Sequence, residues 1–224
     1  MNGTYLLFCL LALVFAAAGW LYLRLGSAKP EEDGESILLR SLFSEKLRLL
    51  AAVIGAIAGA ALAIYSAVRF QDTTEYTIKL LFILEWLLPI ALIDGRCHII
   101  QNRMVLVGLA AFLLFTLGEW LLLHVSLSVL LKNAGLGLAM GFGVFALCAV
   151  LSKGGMGAGD VKLFSVLGLL LGWEGTFLLI FLTTLLIAVT GIILILRKQK
   201  EKSSRLPAGP FILLAMAAAM LLGV

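Results

Sequence analysis

Apolar runs that are long enough to cross a lipid bilayer take up most of this 224-residue sequence. A bilayer core offers no water to backbone polar groups, so a run of about 20 apolar residues is expected to cross it as a helix. Hydrophobic residues make up 62% of the chain and charged residues only 13%, a composition far from that of a soluble globular domain. We therefore predict an all-α, polytopic membrane helix bundle that forms a single domain over residues 1–224.

The apolar runs divide into eight windows and predict about eight transmembrane helices. The sixth window is short, because 14 helical residues span only about 21 Å against a hydrocarbon core of about 30 Å. We interpret it as a span that follows a glycine loop dipping into the membrane. The polar stretch 26–47 is predicted to be a cytoplasmic loop that ends in a short interfacial helix. The windows cover residues 3–24, 48–69, 77–93, 104–124, 129–151, 160–173, 175–196 and 206–224.

Lysine and arginine are concentrated in alternate loops between these windows. The odd-numbered loops hold 14 of the 17 basic residues, and cytoplasmic loops carry such an excess. This predicts that both termini lie outside and that the loops with Asp94 and Asp160 face the cytoplasm. The net charge of +4 is explained by the same residues, so the expected surroundings are a lipid bilayer and no nucleic-acid partner is expected.

Two aspartates stand at the boundaries of apolar segments. Asp94 follows the third window, and Asp160 opens the sixth. An isolated ionisable group at a membrane boundary is costly, so we expect the two carboxyl groups to face each other. Two carboxyl groups that share one proton can hydrolyse a peptide bond, because one activates a water molecule while the other polarises the carbonyl group. The pair predicts an aspartyl peptidase that cuts membrane proteins, with no metal and no cofactor.

Four glycines in residues 154–159 precede Asp160. Glycine lets a substrate backbone approach closely, so Gly157 and Gly159 are candidate substrate-binding residues, and Lys162 is a candidate contact for the substrate leader. A plain turn between helices is the alternative interpretation. The spacing of this run excludes the GxGxxG and GxxxxGK phosphate-binding loops.

Three segments together resemble the type IV prepilin peptidase family. Residues 157–163 (GAGDVKL) are similar to its GxGD signature and the residues that follow it. In residues 94–102, an aspartate is followed by Gln101-Asn102 at the positions where the family motif has Pro-Asn. Residues 206–211 (LPAGPF) resemble the Pro-x-Gly-Pro-Phe run that opens the last helix of these enzymes. The resemblance covers about residues 77–224.

This resemblance implies an aspartic endopeptidase of the bacterial inner membrane, with Asp94 and Asp160 as its catalytic residues. Its implied substrate is a type IV prepilin or pseudopilin precursor, which loses a short basic leader peptide at the cytoplasmic membrane face. Bifunctional members carry a paired-cysteine domain between their first two helices. That domain is missing here, and we do not expect N-methylation of the mature pilin.

Two other interpretations stay open at this point. A protease similar to presenilin or signal peptide peptidase would place tyrosine before its first aspartate, where this chain has Ile93. A proton-coupled transporter or a catalytically silent assembly factor would use Asp94, Asp160 and Glu85 to relay protons. Glu85 lies nine residues before Asp94 and therefore on the opposite face of a helix, so we expect it to stand apart from the aspartate pair.

Overall fold

The fold is a bundle of apolar helices. The computed structural model describes residues 2–28, 37–38, 42–71, 73–151, 157–197 and 206–223. Within these ranges, six helices are long and apolar enough to cross a membrane, and a shorter apolar helix follows them. The prediction of an all-α membrane bundle is confirmed. The helices are α1 (Asn2–Leu25), α2 (Glu45–Arg69), α3 (Thr74–Cys97), α4 (Asn102–Leu122), α5 (Leu127–Leu151), α6 (Ala158–Leu196) and α7 (Gly209–Leu222).

The number of helices agrees with about eight spans because α6 is broken in its middle. Gly172 has φ 71° and ψ −171°, a conformation that is open essentially only to glycine. Next to it, the backbone N–H of Trp173 donates a 3.3 Å hydrogen bond to the side-chain oxygen of Asn133. Gly172 lies against Asn133 of α5, whereas Gly191 lies near Leu206 at the start of the last segment. The two halves of α6 therefore run in opposite directions, and they correspond to the sixth and seventh windows.

Helix α3 lies at the centre of the bundle. In its most apolar window 67% of the residues are buried, against 22% in α1, α2 and α5. Leu80, Ile83, Leu87 and Ile90 form its part of the main core. Large apolar side chains of the peripheral helices point outward instead, as expected where lipid replaces water. The C-terminal end of α3, which carries Asp94, is thus held by helices on several sides.

Glycines bring α5 and the first half of α6 into close contact. Gly137 lies against the backbone of Gly168, and Gly141 lies against the backbone of Phe164. The ring of Phe145 stacks on the ring of Phe164 at 3.7 Å between centroids. Close packing through small residues is common between membrane helices, and it fixes the helix that begins beside Asp160.

The polar stretch 26–47 contains a two-residue antiparallel ladder between β1 (Ser27–Ala28) and β2 (Ile37–Leu38). Residues 29–36 and 39–41, which include part of the predicted interfacial helix, lie outside the described residues, as do residues 152–156 of the predicted glycine loop. Phe43 is 2% exposed and packs with Leu23 and Ile93. The Arg96 guanidinium lies 4.7 Å from the centre of the Phe43 ring and donates a hydrogen bond to the Leu42 carbonyl. The end of this stretch is therefore docked on the end of α3.

Candidate active site

Asp94 lies in the last turn of α3 and is 5% exposed. Its Oδ2 atom accepts a 2.7 Å hydrogen bond from the backbone N–H of Gly209, and the Ala208 backbone adds a weaker hydrogen bond to the same carboxylate. The first N–H groups of a helix have no partner within that helix, so the start of α7 has donors to offer. The segment 206–211 thereby holds Asp94 in place.

Asp160 lies in the first turn of α6, where the helix begins after Gly157. The backbone N–H of Asp160 donates a 3.1 Å hydrogen bond to the Gly157 carbonyl, and the Asp160 carboxylate accepts a hydrogen bond from the Gly157 backbone. An acidic residue at the third helical position commonly reaches back to the cap in this way. The helix start therefore fixes the Asp160 carboxylate at the edge of the bundle.

The structure brings Asp94 and Asp160 together at one end of the bundle. The two carboxylates lie close enough for the charge of Asp94 to act directly on Asp160. Asp94 is buried, whereas Asp160 is half-buried. Two acidic groups in such proximity share protons as a coupled pair, which is the arrangement that hydrolysis by two carboxyl groups requires.

The turn between α3 and α4 connects the surroundings of the two aspartates. A Cβ atom on Gly159 would stand 2.9 Å from the Cβ of Ile100, so only glycine fits there without displacement. The Lys162 ammonium donates a 3.0 Å hydrogen bond to the side-chain oxygen of Asn102. Of the candidate substrate-binding residues, Gly157 and Lys162 are exposed and Gly159 is half-buried. Two of the three thus also have structural partners in this turn.

Two features of the site are absent from the sequence interpretation. Segment 206–211 was identified only by resemblance, yet the Gly-Pro pair before an apolar run could have indicated a helix start with free N–H groups. The second feature is a hydrogen bond from the Tyr22 hydroxyl of α1 to the side-chain oxygen of Gln101. Nothing in the local sequence of either residue indicates that bond, because the partners lie on different helices.

Glu85 stands apart from the aspartate pair, as the helix geometry predicts. It is 2% exposed and its carboxyl group lies against Gly55 and Gly59 of α2. Neither of its oxygens has a hydrogen-bond partner among the described residues. His98, by contrast, lies close enough to Asp94 for their charges to interact, and its left-handed backbone, with φ 53°, ends α3.

The part of the chain that the structure describes contains no group of three or more His, Cys, Asp or Glu residues that could hold a metal ion. Its cysteines, Cys9, Cys97 and Cys148, are all free. The chemistry available at this site is therefore carried by the two carboxylates and the groups around them.

Comparison with known proteins gives matches of one kind. The model of the type IV leader peptidase family matches residues 81–192, which is half of the chain and includes both aspartates. A prepilin leader peptidase/N-methyltransferase of Bacillus subtilis (strain 168) is 31% identical over 163 residues, which are 70% of this chain and 60% of that protein. One from Pseudomonas aeruginosa is 33% identical over 173 residues, covering 75% and 57% of the two chains.

A prepilin leader peptidase/N-methyltransferase of Aeromonas salmonicida is 41% identical over a shorter stretch of 71 residues, which are 32% of this chain and 24% of that protein. At most 60% of the length of these relatives is spanned by the chain. No solved structure matches it. With the family model matching half of its residues, the chain belongs to the type IV leader peptidase family.

Proposed function

We propose that this protein is an intramembrane aspartic endopeptidase that removes the leader peptide from type IV prepilin or pseudopilin precursors. The observation that carries the proposal is the approach of the Asp94 and Asp160 carboxylates to each other from helices that are distant in the sequence. Membership of the leader peptidase family supports the same activity. The printed names of its relatives describe prepilin leader peptidases, which supports the choice of substrate.

In this mechanism the two carboxyl groups share one proton. The ionised group takes a proton from a water molecule, whose oxygen attacks the carbonyl carbon of the scissile peptide bond, while the protonated group donates a hydrogen bond to the carbonyl oxygen. The tetrahedral intermediate then collapses as the nitrogen of the leaving amine receives a proton. The backbone of Gly209, which donates to Asp94, keeps that carboxylate oriented throughout.

The substrate is proposed to pass along the start of α6. Gly157 is exposed there, so an extended substrate backbone can approach without meeting a side chain. Gly159 lets the helix start lie against Ile100 and thereby brings Asp160 towards Asp94. Lys162 is exposed and bound to Asn102, and its position two residues past Asp160 lets its stem line the path of the leader.

We place the aspartate pair at the cytoplasmic face of the bacterial inner membrane, with both termini outside, because the loops at that end hold most of the basic residues. Cysteine labelling tests the orientation in a background without Cys9, Cys97 and Cys148. A membrane-impermeant maleimide should label Ser128→Cys in intact cells. It should label Arg103→Cys only after the cells are permeabilised, and the reverse pattern would contradict the orientation.

Co-expression with candidate pilin precursors from the same genome tests the activity. The wild type should convert the precursor to a faster-migrating product, whereas Asp94→Asn and Asp160→Asn should leave it uncut. Glu174→Gln is the matched control, because that exposed carboxylate lies beside the break in α6, at the other end of the bundle. A precursor that stays uncut by the wild type, or that is cut by both Asn variants, contradicts the proposal.

A further inference from the structure

The turn of residues 98–101 is tied to the first helix by a hydrogen bond. Tyr22, in the last turn of α1, donates from its hydroxyl group to the Gln101 side-chain oxygen. The next residue, Leu23, is 3% exposed and packs with Phe43 and Ile93. Ile93 directly precedes Asp94, so the end of α1 contacts both the helix end that carries Asp94 and the turn that follows it.

Gln101 uses only its backbone to start α4. Its carbonyl oxygen accepts hydrogen bonds from the backbone N–H groups of Met104 at 3.0 Å and Val105 at 3.3 Å. Its side chain caps no helix N–H group. Among the described residues the Gln101 amide nitrogen Nε2 is buried without a partner. The hydroxyl of Tyr22 is therefore what holds this side chain in place.

The same turn touches the surroundings of both carboxylates. Asp94 lies at its beginning, where the His98 N–H donates a 2.9 Å hydrogen bond to the Asp94 carbonyl. At its end, Ile100 lies against Gly159, the residue before Asp160, and Asn102 accepts a hydrogen bond from Lys162. A shift of this turn would change how the start of α6 sits relative to the end of α3.

We propose that Tyr22 is a positioning residue that acts through Gln101 to keep the two aspartates in register for catalysis. This inference rests on the proposed peptidase activity. Tyr22 is assigned no contact with the substrate or with the reacting atoms. Its effect passes through one hydrogen bond to the turn, and from the turn to Gly159 and Asp94.

The decisive variants are Tyr22→Phe, Gln101→Pro and their combination. Tyr22→Phe removes the hydroxyl group and should lower kcat about fivefold, the equivalent of about 1 kcal/mol for one hydrogen bond, with KM unchanged. Gln101 has φ −75°, which suits proline, and among the described residues its N–H donates to no backbone carbonyl. Gln101→Pro should therefore fix the turn by itself, so that the double variant matches Gln101→Pro alone.

Hydrogen exchange gives a measurement that does not depend on cleavage. In Tyr22→Phe the amides of Met104 and Val105 should exchange faster, because their acceptor Gln101 is no longer fixed. Tyr5→Phe is the control, since Tyr5 lies on the same helix with no hydrogen bond from its hydroxyl group to the described residues, and it should leave both kcat and exchange unchanged.

Wild-type kcat and wild-type exchange in Tyr22→Phe would overturn the inference, as would a double variant that is as slow as Tyr22→Phe. If the wild type cleaves no precursor, the proposed function fails, and the exchange of Met104 and Val105 still decides whether Tyr22 fixes the turn.

Discussion

The backbone of Gly209 approaches Asp94 so closely that the two residues form one unit. The Gly209 N–H donates to the Asp94 carboxylate at 2.7 Å, and a Cβ atom on Gly209 would stand 2.9 Å from the Cβ of Asp94. The glycine thus provides both the hydrogen bond and the space for it. Helix α7, which ends the described part of the chain, belongs to the candidate active site through this contact.

Replacement of this glycine should therefore damage the site. In Gly209→Ala the new methyl group would also meet the Cα atom of Ala91 at 3.1 Å, so that α7 must move away from α3. Overpacking of this kind typically costs about 1–3 kcal/mol, and we expect at least about a tenfold loss of cleavage activity from the lengthened bond to Asp94. Cleavage assays and thermal unfolding in detergent measure the two effects.

The matched control for that variant is Gly135→Ala, because no atom lies within 4 Å of the Cβ position of Gly135. It should keep wild-type activity and stability. Full activity in Gly209→Ala would show that the contact with Asp94 does not matter for cleavage.

The close packing of α5 on α6 should be equally sensitive to a single methyl group. Gly141→Ala would place a Cβ atom against the backbone of Phe164, which cannot move aside as a flexible side chain can. We expect destabilisation of about 1–3 kcal/mol, measured as a lower unfolding temperature. Gly143→Ala on the same helix meets nothing within 4 Å and should unfold like the wild type. Equal unfolding temperatures for the two variants would contradict the packing argument.

Glu85 offers a test of what lies outside the aspartate pair. Its buried carboxyl oxygens have no hydrogen-bond partner among the described residues, and such groups cost about 1–3 kcal/mol. An apolar side chain of similar size in Glu85→Met should therefore raise the unfolding temperature and leave cleavage intact. Loss of cleavage in a stably folded Glu85→Met variant would instead place this carboxyl group on a proton path to the site.

Arg96 is predicted to anchor the polar stretch and to have no part in catalysis. Its guanidinium stacks on Phe43 and donates to the Leu42 carbonyl, contacts that are together worth about 1–2 kcal/mol. In Arg96→Gln the segment around residue 42 should become more sensitive to limited proteolysis, while cleavage of a precursor continues. Arg69→Gln, at the opposite end of α2, is the control and should leave proteolysis there unchanged. Unaltered proteolysis in Arg96→Gln would argue against the anchor.

Much of the architecture follows from the sequence because lipid imposes simple rules. Each apolar window must satisfy its own backbone, so window length and helix type are predictable. The weak sixth window is one half of α6, and the bend is placed at Gly172, one of the few residues that can adopt its backbone angles. The pairing of Asp94 with Asp160 was also predictable, since neither charge is tolerable alone at such a boundary.

The contacts that hold the carboxylates could not be predicted in this way. Gly209 and Asp94 are 115 positions apart in the chain, and Tyr22 and Gln101 are 79 positions apart. Neither pair leaves a periodic signal, because each contact depends on how whole helices are arranged. Only the resemblance of residues 206–211 to a family motif marked the first pair, and the second pair had no such mark.

The reversal of α6 at Gly172 has a mechanical consequence for the two acids. The polypeptide that leaves Asp160 travels the length of the bundle, turns at Gly172, returns to its starting level near Leu206 and then grips Asp94 through Gly209. One stretch of chain thus begins at one acid and ends by clasping the other. Strain applied anywhere along this hairpin, for example by a bent or mismatched bilayer, would be transmitted to the gap between them.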